Sequence, residues 1–206
     1  MPKIKNIIFD LGGVLLNIDP DAVARNLVSI GLDSNKVFGN QGVKDLLLEF
    51  ETGHVSTLEF RARMKKLVDR EDLDDSVFDQ IWCSILLDFN PQSIETLLDV
   101  RKKYRIFLLS NTNQLHYDSF SVDFLKRYGY SFDSLFEQVF YSFHMGLAKP
   151  DRAIFETVLT SMALAPDETL FIDDTSANTE SASLLGLHTI HVVRNVGVFG
   201  LPELYY

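Results

Sequence analysis

The sequence contains a single cysteine, Cys83, among its 206 residues. No intrachain disulfide can form, which excludes the small, disulfide-stabilised folds of exported proteins. The sequence also has no apolar run of the roughly 18 residues that a membrane-spanning helix needs. From these two absences we expect a cytoplasmic protein.

Basic residues are in the minority, with 19 Lys and Arg against 29 Asp and Glu, which gives a formal charge of −10. Nucleic-acid backbones and anionic membrane surfaces both attract clustered positive charge, so we expect no nucleic-acid and no membrane partner. The hydrophobic fraction of 46% is typical of a folded protein rather than a disordered one. An acidic enzyme or a binding module fits this composition.

Five short apolar runs rich in β-forming residues predict strands at residues 4–10, 105–110, 137–142, 169–173 and 188–193. The runs are continuous rather than alternating, which is typical of strands buried on both faces of a parallel sheet. Segments with helical spacing separate the later runs, and this alternation indicates βαβ units. We therefore predict an α/β fold with a Rossmann-like parallel sheet core.

The stretch between the first and second runs carries helical signals only. Asp19-Pro20 predicts the start of one helix, Ser56 to Glu59 resembles a capping box, and Asp74-Asp75 opens a further helix. A crossover of this length is too long for a simple strand-to-helix connection. We predict an inserted α-helical domain over residues 16–90 and a sheet domain built from residues 1–15 and 91–206.

Polar side chains stand at or beyond the ends of four predicted strands: Asp10, Ser110 with Asn111, Lys149, and Asp173 with Asp174. Each alone has an ordinary explanation as a turn residue, a helix cap or a surface charge. The carboxyl ends of parallel strands meet at one sheet edge, however, so three carboxylates, a hydroxyl and an ammonium would gather there. Carboxylates that close need a cation, and an oxygen-only donor set without histidine indicates Mg²⁺.

Four motifs carry these residues: FDLGGV (9–14), LLSNTN (108–113), GLAKPD (146–151) and FIDDTSAN (171–178). In this order they resemble the haloacid dehalogenase-like hydrolases, in the phosphatase branch that has a helical cap after the first strand. The resemblance covers essentially the whole chain. It implies that the inserted helices are the cap and that the protein is a magnesium-dependent phosphatase of a small phosphorylated metabolite. We expect a monomer or a weak homodimer.

The resemblance also implies a nucleophile and a metal site. Asp10 would attack phosphorus and form an aspartyl-phosphate, which divides one difficult hydrolysis into two easier steps. Asp10, Asp174 and the backbone carbonyl of Gly12 would hold Mg²⁺. Asp173 would hold a metal-bound water or the ammonium of Lys149.

The remaining motif residues would bind the phosphoryl group. The resemblance assigns this role to Ser110 and to the backbone amide of Asn111. Lys149 would supply positive charge to the equatorial oxygens, where negative charge accumulates during phosphoryl transfer.

Gly12 is a departure from the family pattern, because most of its phosphatases carry an aspartate here as general acid and base. Loss of positioned proton transfer typically lowers the rate about 10²–10⁴-fold. A substrate with a better leaving group, such as a sugar phosphorylated on its anomeric oxygen, would make this loss tolerable. Some sugar-1-phosphate phosphatases of the family share this glycine, so glucose 1-phosphate is the expected example.

Two alternatives stay open for Gly12. Another group could replace the missing acid, and the residues within plausible reach are Asn17, Asp19, Asn113 and His116. The protein could instead be a catalytically weak phospho-ligand binding or regulatory protein of the same fold. A 2-haloacid dehalogenase is the rival chemistry within the family, but it needs no metal and would leave Asp173 and Asp174 without a role.

Overall fold

Strands and helices alternate along the second half of the chain, as the sequence predicts. In the computed structural model, which describes residues 4–201 and 204, the strands are β1 (Asn6–Phe9), β2 (Leu16–Ile18), β3 (Leu86–Phe89), β4 (Arg105–Ser110), β5 (Gln138–Tyr141), β6 (Thr169–Asp173) and β7 (His188–His191). The α-helices are α1 (Ala22–Ser29), α2 (Ser34–Gly39), α3 (Gln41–Glu51), α4 (Thr57–Leu67), α5 (Asp75–Cys83), α6 (Pro91–Val100), α7 (Gln114–Tyr128), α8 (Ser142–Met145), α9 (Arg152–Ser161) and α10 (Ser176–Ser183).

A parallel five-stranded sheet in the order β5-β4-β1-β6-β7 forms the centre of the fold. The central strand β1 pairs with β4 on one side, where Ile7 faces Ile106, and with β6 on the other, where Ile7 faces Leu170. This arrangement confirms the predicted α/β fold with a parallel sheet core.

Helices cover both faces of this sheet, which explains why its strands are apolar throughout. Successive side chains of a strand point to opposite faces. Ile7 and Phe9 accordingly belong to one buried cluster with residues of α6 and α7, and Ile8 belongs to a second cluster with residues of α9 and α10. Burying one such large side chain contributes about 1.5–3 kcal/mol to the free energy of unfolding. The well-packed sheet is therefore a rigid base for the loops at its edge.

A two-stranded antiparallel ribbon of β2 and β3 lies at the base of the inserted helices. Leu16 pairs with Phe89, and Ile18 pairs with Leu86. The prediction of helical structure alone over residues 17–90 is wrong here, because strands of three and four residues are too short to show a strand periodicity. The ribbon places the segment that leaves the parallel sheet after β1 beside the segment that returns to it before α6.

Helices α1 to α5 lie between β2 and β3 and share an apolar cluster, to which Leu115 of α7 also belongs. Phe50 and Phe60 stack in it with ring centroids 4.0 Å apart, and the edge of Phe78 packs against Phe60. The boundaries of the inserted domain at residues 16 and 90 stay a prediction. The outer ends of the predicted sheet domain, at residues 1 and 206, lie outside the described residues.

Two of the three predicted helix starts in the insertion are confirmed. The Ser56 hydroxyl accepts a hydrogen bond from the backbone of Glu59, and the Asp74 carboxylate accepts one from the backbone of Ser76. The start predicted at Asp19-Pro20 is wrong, because α1 begins at Ala22. The carboxylate of Asp19 instead accepts a hydrogen bond from the backbone of Asp21 and forms an ion pair with Arg25.

The insertion contacts the sheet domain beside the carboxyl ends of β4 and β5. A side chain at Gly53, just after α3, would place its first carbon 2.0 Å from the carbonyl oxygen of Phe143 in α8. The ring of Trp82 in α5 stacks on His116 in α7 with centroids 5.6 Å apart.

Among the helices of residues 4–201, none is both long enough and apolar enough to cross a bilayer.

Candidate active site

The carboxyl edge of the sheet brings three of the predicted site residues into direct contact. Asp10 directly follows β1, and Asp173 ends the neighbouring strand β6. The backbone amide of Asp10 donates to the carbonyl of Ile172 over 2.9 Å, which holds the two aspartates side by side. Lys149 reaches them from the loop after α8, so residues far apart in the sequence meet within one small volume.

The ammonium of Lys149 is the central group of this site. Its Nζ donates to Asp10 Oδ1 over 2.6 Å, to Asp173 Oδ2 over 2.7 Å and to the carbonyl of Leu109 over 2.9 Å. These three acceptors match the three protons of an ammonium group. The lysine side chain is only 1% exposed, and the bonds to the carboxylates are therefore charge-assisted bonds shielded from water.

The side chain of Asn111 fixes the backbone of Lys149. Its amide nitrogen donates to the Lys149 carbonyl over 2.8 Å, and its oxygen accepts from the Lys149 amide over 2.9 Å. Next to it, the Ser142 hydroxyl accepts from the backbone amide of Thr112 and donates to the carbonyl of the same residue, both over 3.0 Å. The loop after β4 therefore positions the lysine supplied by the loop after α8.

These contacts give Asn111 a role that the sequence does not indicate. The family resemblance implies that its backbone amide binds phosphate, and in the structure its side chain also bonds to Lys149, 38 positions away. A contact at that sequence distance leaves no local pattern. Ser110 ends β4 as predicted and is buried, with its hydroxyl 3.4 Å from the carbonyl oxygen of Asn111.

Asp173 is completely buried, and both of its oxygens are occupied. Oδ1 accepts from the backbone amide of Thr175 over 2.8 Å, and the amide of Asn178 lies 3.0 Å from each oxygen. With Oδ2 also bound to Lys149, this carboxylate anchors the lysine rather than facing an open space. Asn178 belongs to the FIDDTSAN motif, but its side-chain role was also missed in the sequence.

Asp174 lies at the outer side of the site. Its Oδ2 accepts a hydrogen bond from Arg194 Nε over 2.5 Å. Arg194 follows β7 and lies outside all four motifs, so nothing in the sequence pattern indicated it.

Gly12 and Gly13 differ in the space that each position leaves for a side chain. Gly13 has a φ of +79°, and a side chain there would place its first carbon 2.6 Å from Asp174 Oδ2, so only glycine fits. At Gly12 the same carbon would make ordinary contact, 3.7 Å from the Ile18 side chain. The missing aspartate is therefore not explained by a lack of space at Gly12.

The donor set suits a hard divalent cation. One carboxylate oxygen each of Asp10, Asp173 and Asp174 lies within 4.8 Å of the others. The oxygens of Asp173 already accept from Lys149, Thr175 and Asn178, so Asp10 and Asp174 are the carboxylates that suit direct binding of the cation. The three carboxylates face two cationic groups, Lys149 and Arg194, which leaves one negative charge in excess. Oxygen ligands and excess negative charge are what Mg²⁺ requires.

Burial changes the ionisation of both central groups. It raises the pKa of Asp10 to about 7; the ammonium of Lys149 opposes this rise, and the carboxylate of Asp173 adds to it. Burial also lowers the pKa of Lys149, but the carboxylates of Asp10 and Asp173 raise it by more. The lysine therefore stays charged at neutral pH, and a divalent cation beside Asp10 would favour its carboxylate form.

Three of the four residues that could replace the missing acid are held in contacts with other groups. His116 contacts the Asn113 side-chain amide over 3.1 Å with Nδ1 and the Trp82 carbonyl over 3.2 Å with Nε2, and burial lowers its pKa to about 4. Asn113 caps α7 and is fully buried. Asp19 is paired with Arg25. Asn17 lies half-buried in β2.

The chain is similar in sequence and in fold to proteins of one known family. A family model described as haloacid dehalogenase-like hydrolase matches residues 4–186. The D-ribitol-5-phosphate phosphatase of Bacteroides thetaiotaomicron is 30% identical over 187 residues, which is 90% of each chain. The wild-type structure of a haloacid dehalogenase family enzyme from that organism, in complex with magnesium and inorganic phosphate, superposes with a TM-score of 0.85. It is 32% identical and covers 93% of this chain and 96% of that one. A hydrolase of the same family from Porphyromonas gingivalis superposes with a TM-score of 0.83, at 34% identity, and covers 93% of this chain and 92% of that one.

The buried histidine makes stability depend on pH. Burial holds the pKa of His116 near 4, below the ordinary 6.5, so the unfolded chain takes up a proton first as the pH falls. Stability should therefore decrease between pH 6.5 and 4, by about 1–3 kcal/mol in total. We expect this loss to be smaller in His116→Gln, measured as the free energy of unfolding in urea across that range.

His188→Gln, at an exposed position of β7, is the control for replacing a histidine by glutamine. An unchanged slope in His116→Gln would argue that His116 is protonated in the folded protein.

Proposed function

The chain belongs to the haloacid dehalogenase-like hydrolases and is a phosphatase with Mg²⁺ as its cofactor, and we propose that it hydrolyses a small phosphorylated sugar or sugar alcohol through an aspartyl-phosphate on Asp10. The resemblance inferred from the four sequence motifs is thereby confirmed at the level of the family. The observation that carries the proposal is Lys149 held between Asp10 and Asp173, with Asp174 completing an oxygen donor set. A cytoplasmic location and a monomeric or weakly dimeric state remain part of the proposal.

Asp10 is the nucleophile in this proposal. Its carboxylate attacks phosphorus, the bond between phosphorus and the ester oxygen breaks, and the leaving oxygen takes a proton from solvent water, since no acid stands at position 12. Water then attacks the acyl phosphate, which releases inorganic phosphate and restores Asp10. When bound by Asp10, Asp174 and the Gly12 carbonyl, Mg²⁺ supplies the positive charge that lets an anionic carboxylate approach an anionic phosphoryl group.

Lys149 acts by position and charge. It fixes one oxygen of Asp10 at 2.6 Å and adds positive charge where the phosphoryl oxygens gather negative charge. Ser110 and the backbone amide of Asn111, at the end of β4, complete the proposed phosphoryl site. Because the chain as a whole carries a charge of −10, attraction of an anionic substrate must come from this local site.

The substrate class is the finer part of the proposal. The relative from Bacteroides thetaiotaomicron is named for a sugar-alcohol phosphate, which supports a polyol or sugar phosphate here. The absence of an acid at Gly12 instead favours an ester with a better leaving group, such as glucose 1-phosphate, because the leaving alcohol of ribitol 5-phosphate is an ordinary primary alcohol. The relative and the glycine therefore favour different members of this substrate class. A metal-independent 2-haloacid dehalogenase has no comparable support, since Asp174 would then have no chemical role.

A substrate panel tests the proposal. We expect hydrolysis of D-ribitol 5-phosphate or glucose 1-phosphate, measured as phosphate release, to exceed that of nucleotide and carboxylic-acid phosphates, and to stop when a chelator removes Mg²⁺. Failure to hydrolyse any of them would favour a weak phospho-ligand binding or regulatory protein of the same fold.

Replacing the nucleophile tests the chemistry directly. Asp10→Asn keeps the shape of the side chain and removes the attacking carboxylate, so hydrolysis of an aryl phosphate should fall to background while the circular dichroism spectrum stays unchanged. Activity retained by a clean preparation of this variant would refute the assignment.

The space at Gly12 allows the missing acid to be restored. Gly12→Asp should raise turnover of alkyl phosphates more than turnover of anomeric phosphates, because protonation matters most for a poor leaving group. Gly12→Ala is the control for the added side chain and should raise neither rate. An equal gain on both substrate classes in Gly12→Asp would count against the role of the leaving group.

A further inference from the structure

The ion pair between Asp174 and Arg194 closes the outer side of the site. The Asp174 side chain is 5% exposed, whereas that of Arg194 is 45% exposed, so a buried carboxylate pairs with a side chain that reaches solvent. Oδ2 of Asp174 accepts from Arg194 Nε, and Oδ1 lies 3.2 Å from the Thr175 hydroxyl. The charged partner of this carboxylate is therefore Arg194, while Lys149 serves Asp10 and Asp173.

The backbone from which Arg194 projects is held in place by the next residue. Asn195 donates its backbone amide to the carbonyl of Gly13 over 2.7 Å. Its side-chain amide accepts from the Ile18 amide over 2.8 Å and donates to the Ile18 carbonyl over 2.7 Å. The loop after β7 is thus attached both to the loop that carries Asp10 and to strand β2.

The carboxylate of Asp174 is confined between Arg194 and Gly13. A side-chain carbon at Gly13 would lie 2.6 Å from Asp174 Oδ2 and 2.9 Å from Arg194 Cγ, so both residues pack directly on the glycine. Such confinement leaves the carboxylate little freedom to rotate. It also places Arg194 beside the proposed metal site but outside the direct donor set.

We propose that Arg194 is a positioning residue for metal binding, which holds Asp174 by its Oδ2 in the orientation that lets it bind Mg²⁺ together with Asp10. The inference rests on the proposed function, because it requires the metal site assigned there. Hydrogen-bond partners of metal ligands typically contribute 10–100-fold to metal affinity or activity. The positive charge of the guanidinium lowers the affinity for Mg²⁺, because it repels the cation. A test of Arg194 therefore has to distinguish the effect of its hydrogen bond from the effect of its charge.

Two substitutions separate them. Glutamine carries its amide nitrogen the same number of bonds from the backbone as arginine carries Nε, so Arg194→Gln keeps a donor for Asp174 and removes the charge. Methionine has a side chain of the same length as glutamine but no hydrogen-bond donor. Arg194→Met therefore also removes the charge and preserves packing on Gly13. The two variants therefore differ mainly in the hydrogen bond to Asp174.

The readout is the dissociation constant for Mg²⁺, measured by isothermal titration calorimetry on the full chain without substrate. We expect Arg194→Met to bind Mg²⁺ about 10–100-fold more weakly than Arg194→Gln. Arg152→Met is the matched control, because Arg152 Nε also donates to a carboxylate, that of Glu156 over 2.7 Å, on the exposed surface of α9. It should bind Mg²⁺ as the wild type does.

Equal affinities of Arg194→Met and Arg194→Gln would overturn the proposal, as would tighter binding by the methionine variant. Should Arg194→Met fail to fold by circular dichroism, Arg194→Leu replaces it with the same expected outcome. A wild-type protein that binds no Mg²⁺ would refute the metal site itself, which separates failure of the proposed function from failure of the role of Arg194.

Discussion

The active-site architecture depends on one buried ammonium, that of Lys149, held between the carboxylates of Asp10 and Asp173. Removing three charged groups from water costs several kcal/mol each, and only close contacts with good geometry offset that cost. Removing one partner from a buried ion pair typically costs about 3–5 kcal/mol, because an uncompensated charge is left behind. The lysine therefore fixes where both aspartates stand before any substrate binds.

The sheet order makes this contact possible. β1 and β6 are neighbours, so Asp10 and Asp173 leave the sheet side by side, and the loops after β4 and α8 approach from the opposite side of β1. Asn111 then fixes the lysine backbone, and Asn178 fixes the far side of Asp173. Preorganised charge of this kind stabilises a transition state without rearrangement during the reaction. The helical insertion contacts the same edge and is positioned to contribute substrate contacts there.

Much of this arrangement could be predicted from the sequence, because strand ends and residue types are local signals. The apolar runs indicated the parallel sheet, and Asp10, Ser110, Lys149 and Asp173 followed from their positions at strand ends or in the loop after a strand. The partners that hold them could not be predicted, since the side chain of Asn111 and that of Arg194 act on residues distant in the sequence. The ribbon of β2 and β3 escaped detection because its strands are too short to show a period. His116 illustrates the reverse case, since the sequence offered it as one possible replacement for the missing acid, but in the folded protein both ring nitrogens contact other groups.

In the proposed mechanism Asp10, preorganised by Lys149, accepts the phosphoryl group covalently. Acid quenching of the wild-type enzyme during turnover with Mg²⁺, followed by proteolysis and mass spectrometry, detects this intermediate on the peptide that contains Asp10. This peptide should gain the mass of one phosphoryl group, located on Asp10 by fragmentation, and the added mass should disappear when the substrate is exhausted. Turnover without any phosphorylated peptide, or with the phosphoryl group on another residue, would contradict this mechanism.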